Sequence, residues 1–140
     1  MIKPYVHRVQ YYETDKMGIT NNTNYVRFME EARNDYLAQI NFPYSKFEAH
    51  GIISPVVKIS CEYRKTTTYP DHIKIRVRII KVNRFKLVVG YKMTVKGHLV
   101  CRARSSHCFI KNGKIINMEK QLPHFYRRLK AEDKEGLLNV

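Results

Sequence analysis

The stretch Asn24-Tyr25-Val26-Arg27-Phe28-Met29-Glu30-Glu31-Ala32-Arg33-Asn34-Asp35-Tyr36-Leu37-Ala38-Gln39 decides the fold. Val26, Met29, Ala32 or Arg33, Tyr36, Leu37 and Ile40 recur at spacings of three and four, which gives a helix one apolar stripe. Asn21, Asn22 and Asn24, with Thr23, are the residue types expected at its N-cap. Asn41-Phe42-Pro43 stops it. Glu30 and Arg33 stand three apart on this helix, a spacing that suits a structural ion pair.

Downstream, Tyr44 to His50 allows a second short helix, and then the period changes to two. Ile73, Ile75, Val77 and Ile79 alternate with Lys74, Arg76 and Arg78. Leu87, Val89, Tyr91, Met93 and Val95 repeat that alternation, and Leu99, Cys101, Ala103 and Ser105 do so more weakly. With Ser54 to Tyr69 ahead of them, these make four long strands. Tyr69-Pro70-Asp71, Asn83-Arg84 and Lys96-Gly97 supply the turns, and Asn112-Gly113 is a type I′ hairpin signal. Glu119 to Lys130 reads as a last helix behind Pro123. Upstream, Tyr5 to Tyr12 is β-branched and aromatic enough for a first strand. One strand, one long helix and four sequential strands define an α+β domain over residues 1–140. The expected architecture is an antiparallel five- or six-stranded sheet wrapped around one long central helix, the hotdog arrangement.

A chain of 140 residues, 44% of them hydrophobic, fits one domain with one core. The N-terminus has no apolar stretch that could serve as a signal peptide, and no run approaches the roughly 20 apolar residues of a membrane span. Cys61, Cys101 and Cys108 form no CxxC pair, and the six histidines show no metal-ligand spacing. Reduced thiols in a cytoplasmic protein, with no metal and no bound cofactor, are therefore expected. The formal charge of +14 is spread along the whole sequence. It fits a lysine-rich surface, or an anionic partner: nucleic acid, an acidic carrier protein or a phosphate-rich small molecule.

The densest polar cluster lies between the first strand and the long helix: Tyr11, Glu13, Asp15, Gly18, Asn21 and Asn22. A strand-to-helix junction presents unpaired backbone N–H groups and the positive end of the helix dipole. Such a site can stabilise an oxyanion formed at a carbonyl. A carboxylate just before it could attack that carbonyl or draw a proton from water. Gly18 would let the backbone turn sharply. A capping role in the turn is the competing reading of Asp15.

The run Tyr11-Tyr12-Glu13-Thr14-Asp15-Lys16-Met17-Gly18-Ile19-Thr20-Asn21-Asn22-Thr23-Asn24-Tyr25 resembles the 4-hydroxybenzoyl-CoA thioesterase family. The likeness lies in an Asp, a Gly three positions later, paired asparagines and a Tyr near the helix start. Phe28, Glu30, Ala32 and Arg33 continue it. The resemblance implies a hotdog fold and hydrolysis of an acyl-CoA or acyl-carrier-protein thioester. It implies Asp15 as nucleophile or general base, the Asn22 backbone N–H as the group polarising the thioester carbonyl, and Tyr11 near the reacting atoms. Gly18, Asn21 and Tyr25 would contact substrate. The sequence departs from the pattern at Ile19, where relatives with paired asparagines usually carry His. Other hotdog thioesterases use a helical carboxylate, which keeps Glu30 and Glu31 as reserve candidates.

Coenzyme A carries phosphates, so its binding surface should be basic. Arg64-Lys65, Lys81, Arg84, and Arg102 with Arg104 are candidates, with Ser105-Ser106 adjoining as hydroxyl donors. An exposed edge strand would be removed by pairing two sheets edge to edge, so a homodimer or homotetramer is expected. Three alternatives stand beside hydrolysis. A dehydratase-like hotdog normally needs an Asp–His pair, and no His follows Asp15 before His50. A non-catalytic acyl-thioester-binding hotdog fits the Ile19 departure. A basic nucleic-acid-binding protein fits the charge, although no zinc knuckle or glycine-rich aromatic motif is present.

Overall fold

The computed structural model describes residues 2–138. Strand β1 covers Tyr5–Arg8 and is followed by a 3-10 turn at Tyr11–Glu13. The long helix α1 is Asn24–Gln39 and a short helix α2 is Tyr44–Ala49. Strands β2 (Ile52–Ile53), β3 (Val56–Tyr63), β4 (His72–Val82), β5 (Leu87–Val95) and β6 (His98–His107) come next. A small hairpin, β7 (Ile110–Lys111) and β8 (Lys114–Ile115), precedes helices α3 (Met118–Gln121) and α4 (Pro123–Leu138).

Five strands form an antiparallel sheet in the order β1-β4-β5-β6-β3, and β2, β7 and β8 form a small second sheet. The fold is the expected α+β hotdog, with α1 lying on one face of the larger sheet. Its buried stripe is Tyr25, Phe28, Met29, Ala32, Tyr36 and Leu37. These meet Ile73 and Ile75 of β4, Tyr91 and Met93 of β5, and Cys101 and Ala103 of β6. The stripe read from sequence holds at Met29, Ala32, Tyr36, Leu37 and Ile40, and differs in the first turns, where Val26 is exposed and Tyr25 and Phe28 are buried. Two aromatic rings bury more apolar area than one valine, so they take the inward positions there.

Period two predicted the strand faces well, and the strand ends less well. The first strand stops at Arg8 instead of Tyr12. Here the Glu13 N–H donates to the Gln10 carbonyl (2.9 Å), while the Gln10 N–H donates to the Glu13 carboxylate (2.7 Å). That reciprocal pair curls the chain into the 3-10 turn. Strand β3 ends at Tyr63 rather than Tyr69, because the Arg64 and Lys65 N–H groups both turn onto the Val100 carbonyl (2.8 and 3.2 Å). The Asn112-Gly113 turn is as read, with φ of 53° and 75° at the two central residues. The last helical segment divides into α3 and α4, with Pro123 in the first position of α4, where a missing N–H costs nothing. Phe125 and Leu129 of α4 are fully buried, and Phe125 stacks with Phe42, Phe47 and Phe109.

Candidate active site

The loop from β1 to α1 is tied down by Glu13. Its side chain is buried (1% exposed), and it takes hydrogen bonds from the Gln10 N–H and from Arg27, with His7 Nε2 2.9 Å away. Its carbonyl accepts from the Asn21 N–H (2.8 Å) and from Asn24 Nδ2 (3.0 Å). Burial alone would push this carboxyl up; the donors from Gln10, His7 and Arg27 outweigh it and hold the group below the ordinary carboxylate range. One buried carboxylate thus fixes both ends of the segment that carries Asp15.

Between those ends the chain makes a tight turn. The Asp15 N–H donates to the Ile19 carbonyl and the Gly18 N–H to the Asp15 carbonyl, both at 2.9 Å. Gly18 has φ +78°, the left-handed conformation that favours glycine. Asp15 Oδ1 accepts the Met17 N–H at 2.8 Å, so the carboxylate does cap its own turn. Its side chain is exposed.

The base of the loop docks on the crossover after β3. The Thr20 N–H donates to the Thr67 carbonyl (2.8 Å), Thr67 Oγ1 to Thr20 Oγ1 (2.7 Å), and Thr68 Oγ1 to the Gly18 carbonyl (2.6 Å). Tyr25 Oη lies 2.8 Å from Thr67 Oγ1, and burial pushes its phenol up, which keeps it protonated. The start of α1 differs from the expected asparagine caps. Thr23 is the N-cap and makes no side-chain cap bond, while Asn21 Oδ1 accepts the Thr23 N–H (3.0 Å) and Asn24 reaches back to Glu13. The Asn22 carbonyl accepts from Tyr63 Oη (3.2 Å), and among the described residues the Asn22 N–H donates to no protein acceptor.

A cleft opens at this helix end, lined by Ile19, Asn22, Tyr25, Tyr63, Arg64 and Lys65 among others. Of the residues named from sequence, it brings together Asn22 and Tyr25. Asp15, Gly18 and Asn21 sit in the turn beside it, joined through Ile19 and Thr20. Tyr11 is 78% exposed, with its ring edge-on to Tyr69 at 6.1 Å, away from the cleft lining.

The phosphate candidates separate. Arg64 and Lys65 line the cleft itself. Arg102 and Arg104 project from the opposite, outer face of the sheet, where Arg78, Gly90 and Ser60 share a shallow depression with them. Ser105 is not with them. It lies on the inner face, buried, 2.7 Å from Tyr91 Oη and 2.7 Å from His107 Nε2. The reason is strand parity: neighbours in a strand point to opposite faces. Arg33 likewise forms no ion pair with Glu30; its Nη1 donates to Tyr91 Oη at 3.1 Å. The helical ion pair is Arg27 with Glu31, four apart, and Glu31 also meets His7 at 3.3 Å. Among the described residues no His, Cys, Asp and Glu group could hold a metal ion, and no helix is long and apolar enough to cross a membrane.

Glu13 in its buried role, Thr67 and Tyr63 escaped the sequence reading. Arg27 lies 14 positions from Glu13, and the partners of Tyr63 and Thr67 lie 41 to 47 positions away, so local spacing does not mark these contacts.

A sheet wrapped on one helix, with a polar loop and a free main-chain donor at the helix start, defines a hotdog-fold protein of the thioesterase class. The family model for the thioesterase-like superfamily matches residues 9–131, and the chain belongs to that superfamily. It is 37% identical over 121 residues to the "Putative acyl-CoA thioesterase YneP" of Bacillus subtilis (strain 168), covering 84% of this chain and 88% of that protein. The DHNA-CoA thioesterase structure from Staphylococcus aureus superposes with a TM-score of 0.90 at 31% identity, over 96% of this chain and 94% of that one. A hypothetical protein from Aquifex aeolicus superposes with a TM-score of 0.83 at 35% identity, over 88% and 98%.

Proposed function

We propose that this thioester hydrolase cleaves acyl-CoA thioesters at the start of α1, with Asp15 as the reacting carboxylate. The observation that carries the reading is the Asn22 N–H, unpaired at a helix N-terminus in a cleft that also holds Arg64 and Lys65. A thioester oxygen set against that donor becomes an oxyanion when the carbonyl carbon is attacked. Asp15 supplies the attack directly, giving an anhydride and the CoA thiolate, or takes a proton from the water that does. Gly18 and Asn21 shape the turn that presents Asp15, and Tyr25 forms the cleft floor through Thr67. Tyr11 is assigned to the outer rim beside Tyr69.

The phosphates of coenzyme A leave the cleft past Arg64 and Lys65, and the outer-face pair Arg102 and Arg104 offers a second anionic contact. An acyl-carrier protein, itself acidic, would meet the same cations. Ser105 has no part in this, being sealed on the inner face.

The edge strand β3 supports assembly as a homodimer or homotetramer. It is an edge strand of eight residues, exposed along nearly its whole length, with Val56, Val57, Ile59 and Tyr63 uncovered. Antiparallel pairing with β3 of a second copy satisfies the edge and covers those side chains. Asp15, solvent-exposed in one subunit, then stands near the two-fold interface rather than in open water.

Thiol release from a panel of acyl-CoAs tests the assignment, comparing wild type with Asp15→Asn and Glu30→Gln. Loss of at least about 100-fold in kcat for Asp15→Asn alone supports it. Equal turnover by wild type and Asp15→Asn overturns it. A second reading, in which Glu30 is the base, is favoured by the position of Glu30 on the wall of a separate cavity. It requires the loss to fall on Glu30→Gln instead.

A further inference from the structure

The thioester cleft lies at the start of α1. Past the other end of that helix, between α2 and the start of α4, the structure holds a second cleft of about 370 Å³. Helix α1 has 16 residues, so its two ends are about 24 Å apart. The volume is that of a small-molecule site.

The turn that stops α1 builds one wall. Asn41 takes φ 71°, and the Phe42 N–H folds back onto the Leu37 carbonyl at 2.9 Å. This sets the Phe42 ring 5.3 Å from that of Phe125, which in turn lies 4.8 Å from Phe47. Phe47, Ile52 and Phe125 are buried and form the apolar floor, while Phe42 and Leu122 are only half-buried beside them. Apolar surface is thus left facing the opening.

The rim is basic. Lys46, His50, Lys111 and His124 are all exposed there, and no Asp or Glu lines the cleft. Lys46 Nζ lies 5.6 Å from the centre of the Phe42 ring, which brings one cation directly over the apolar wall. Among the described residues neither Lys46 nor Lys111 meets a carboxylate. His124 adds a directed donor. Arg127 can only donate, and its Nη2 lies 2.8 Å from His124 Nδ1, so that nitrogen accepts and the ring proton sits on Nε2.

These two features together select a ligand class. A purely apolar molecule would cover the floor and leave the cations without a partner; a small inorganic anion would meet the cations and leave the rings wet. No arginine lines the cleft to fork onto phosphate oxygens, which favours a carboxylate. We infer that this cleft is a binding site for an amphiphilic monocarboxylate, its apolar body on Phe42, Phe47 and Phe125 and its charge met by Lys46 and Lys111. The site stands apart from the proposed hydrolysis and does not depend on it.

The test titrates the full chain with octanoate, octanol and acetate while following carbon-13 methyl resonances. Ile52 and Leu122 report on this cleft, and Ile19 reports on the thioester cleft. Octanoate is expected to move Ile52 and Leu122 and to bind there about ten-fold tighter than octanol or acetate. Lys46→Gln/Lys111→Gln should weaken octanoate about five-fold. Lys74→Gln/Arg76→Gln removes the same charge from exposed positions of β4 and should leave that affinity unchanged. All four substitutions fall on exposed side chains, so the variants are expected to fold. Octanoate that moves only Ile19, or neither cleft, overturns the inference. So does octanol binding as tightly as octanoate, which would make the rim irrelevant. Equal weakening by the two double variants also overturns it, because the attraction would then belong to the net charge of the chain.

Discussion

Glu13 and Arg27 form an ion pair in which the carboxylate side chain is wholly buried while the guanidinium remains partly exposed. The pair joins the loop that carries Asp15 to the first turns of α1. Removing the charge from one side leaves Arg27 facing a neutral amide and weakens the bonds from His7 and Gln10. Glu13→Gln is expected to cost about 3 kcal/mol of stability at pH 7, measured by urea unfolding.

The same carboxylate sets a pH dependence. Its folded-state pKa lies below the unfolded value of roughly 4.3, so the unfolded chain binds the proton more readily. The stabilisation is complete above that value and is lost as pH falls through the folded pKa. Wild-type stability should therefore fall more steeply below about pH 4 than that of Glu13→Gln, and parallel curves would show that Glu13 is not the group responsible.

Thr67 touches both sides of the cleft floor, bonded to Thr20 and lying 2.8 Å from Tyr25 Oη. Thr67→Val keeps the shape and removes the hydroxyl, leaving the Tyr25 phenol unpartnered in a buried position. The expected loss is about 1–2 kcal/mol in thermal or urea unfolding. Because the Thr20 N–H still holds the Thr67 carbonyl, activity should fall through kcat/KM by less than tenfold rather than vanish.

How much of this was legible in the sequence depends on range. Strand faces and the extent of α1 follow from local periodicity, which marks a helix from about Asn24 to Gln39, the span observed. The candidate loop was legible because its polar residues are crowded into one short run. The grouping of Ser105 with Arg102 and Arg104 failed on strand parity, a rule available from sequence alone. Glu13 could not be told from any other acidic loop residue, because its meaning comes from Arg27 and His7 meeting it in three dimensions. The same holds for His107. Its ring meets Ser105 two positions back on the same strand, but Ser105 meets Tyr91 and Tyr91 meets Arg33 on other elements, and no spacing announces that chain of contacts.

The edge strand gives a prediction about assembly. Ile59 on β3 is 37% exposed and lies toward the helix side of the sheet, opposite Ser105 in register. A lysine there would carry a charge into the covered zone between paired copies, the device by which natural edges avoid pairing. Sedimentation should find wild type as a dimer or larger and Ile59→Lys shifted toward monomer, with hydrolysis falling in step. A monomeric wild type at micromolar concentration would sink the paired-sheet arrangement.

The outer face of the sheet carries a row of like charges. Register places Arg76 opposite Lys92 and Lys92 opposite Arg102, with Glu62 at the end of the row opposite Arg102. Like charges directly opposite on adjacent strands destabilise a sheet. Glu62 is itself paired with Arg64 at 2.6 Å, so it offers the row little relief. Lys92→Gln should therefore raise stability by about 0.5 kcal/mol at low salt, and the gain should shrink toward zero at 1 M salt, where screening acts within roughly 3 Å. If the row is held in place because it meets the phosphates of the substrate, Arg102→Ala should raise KM for acyl-CoA several-fold with kcat preserved. It should leave turnover of a short pantetheine thioester, which has no nucleotide, unchanged. A matching loss with both substrates would assign Arg102 to the fold rather than to phosphate recognition.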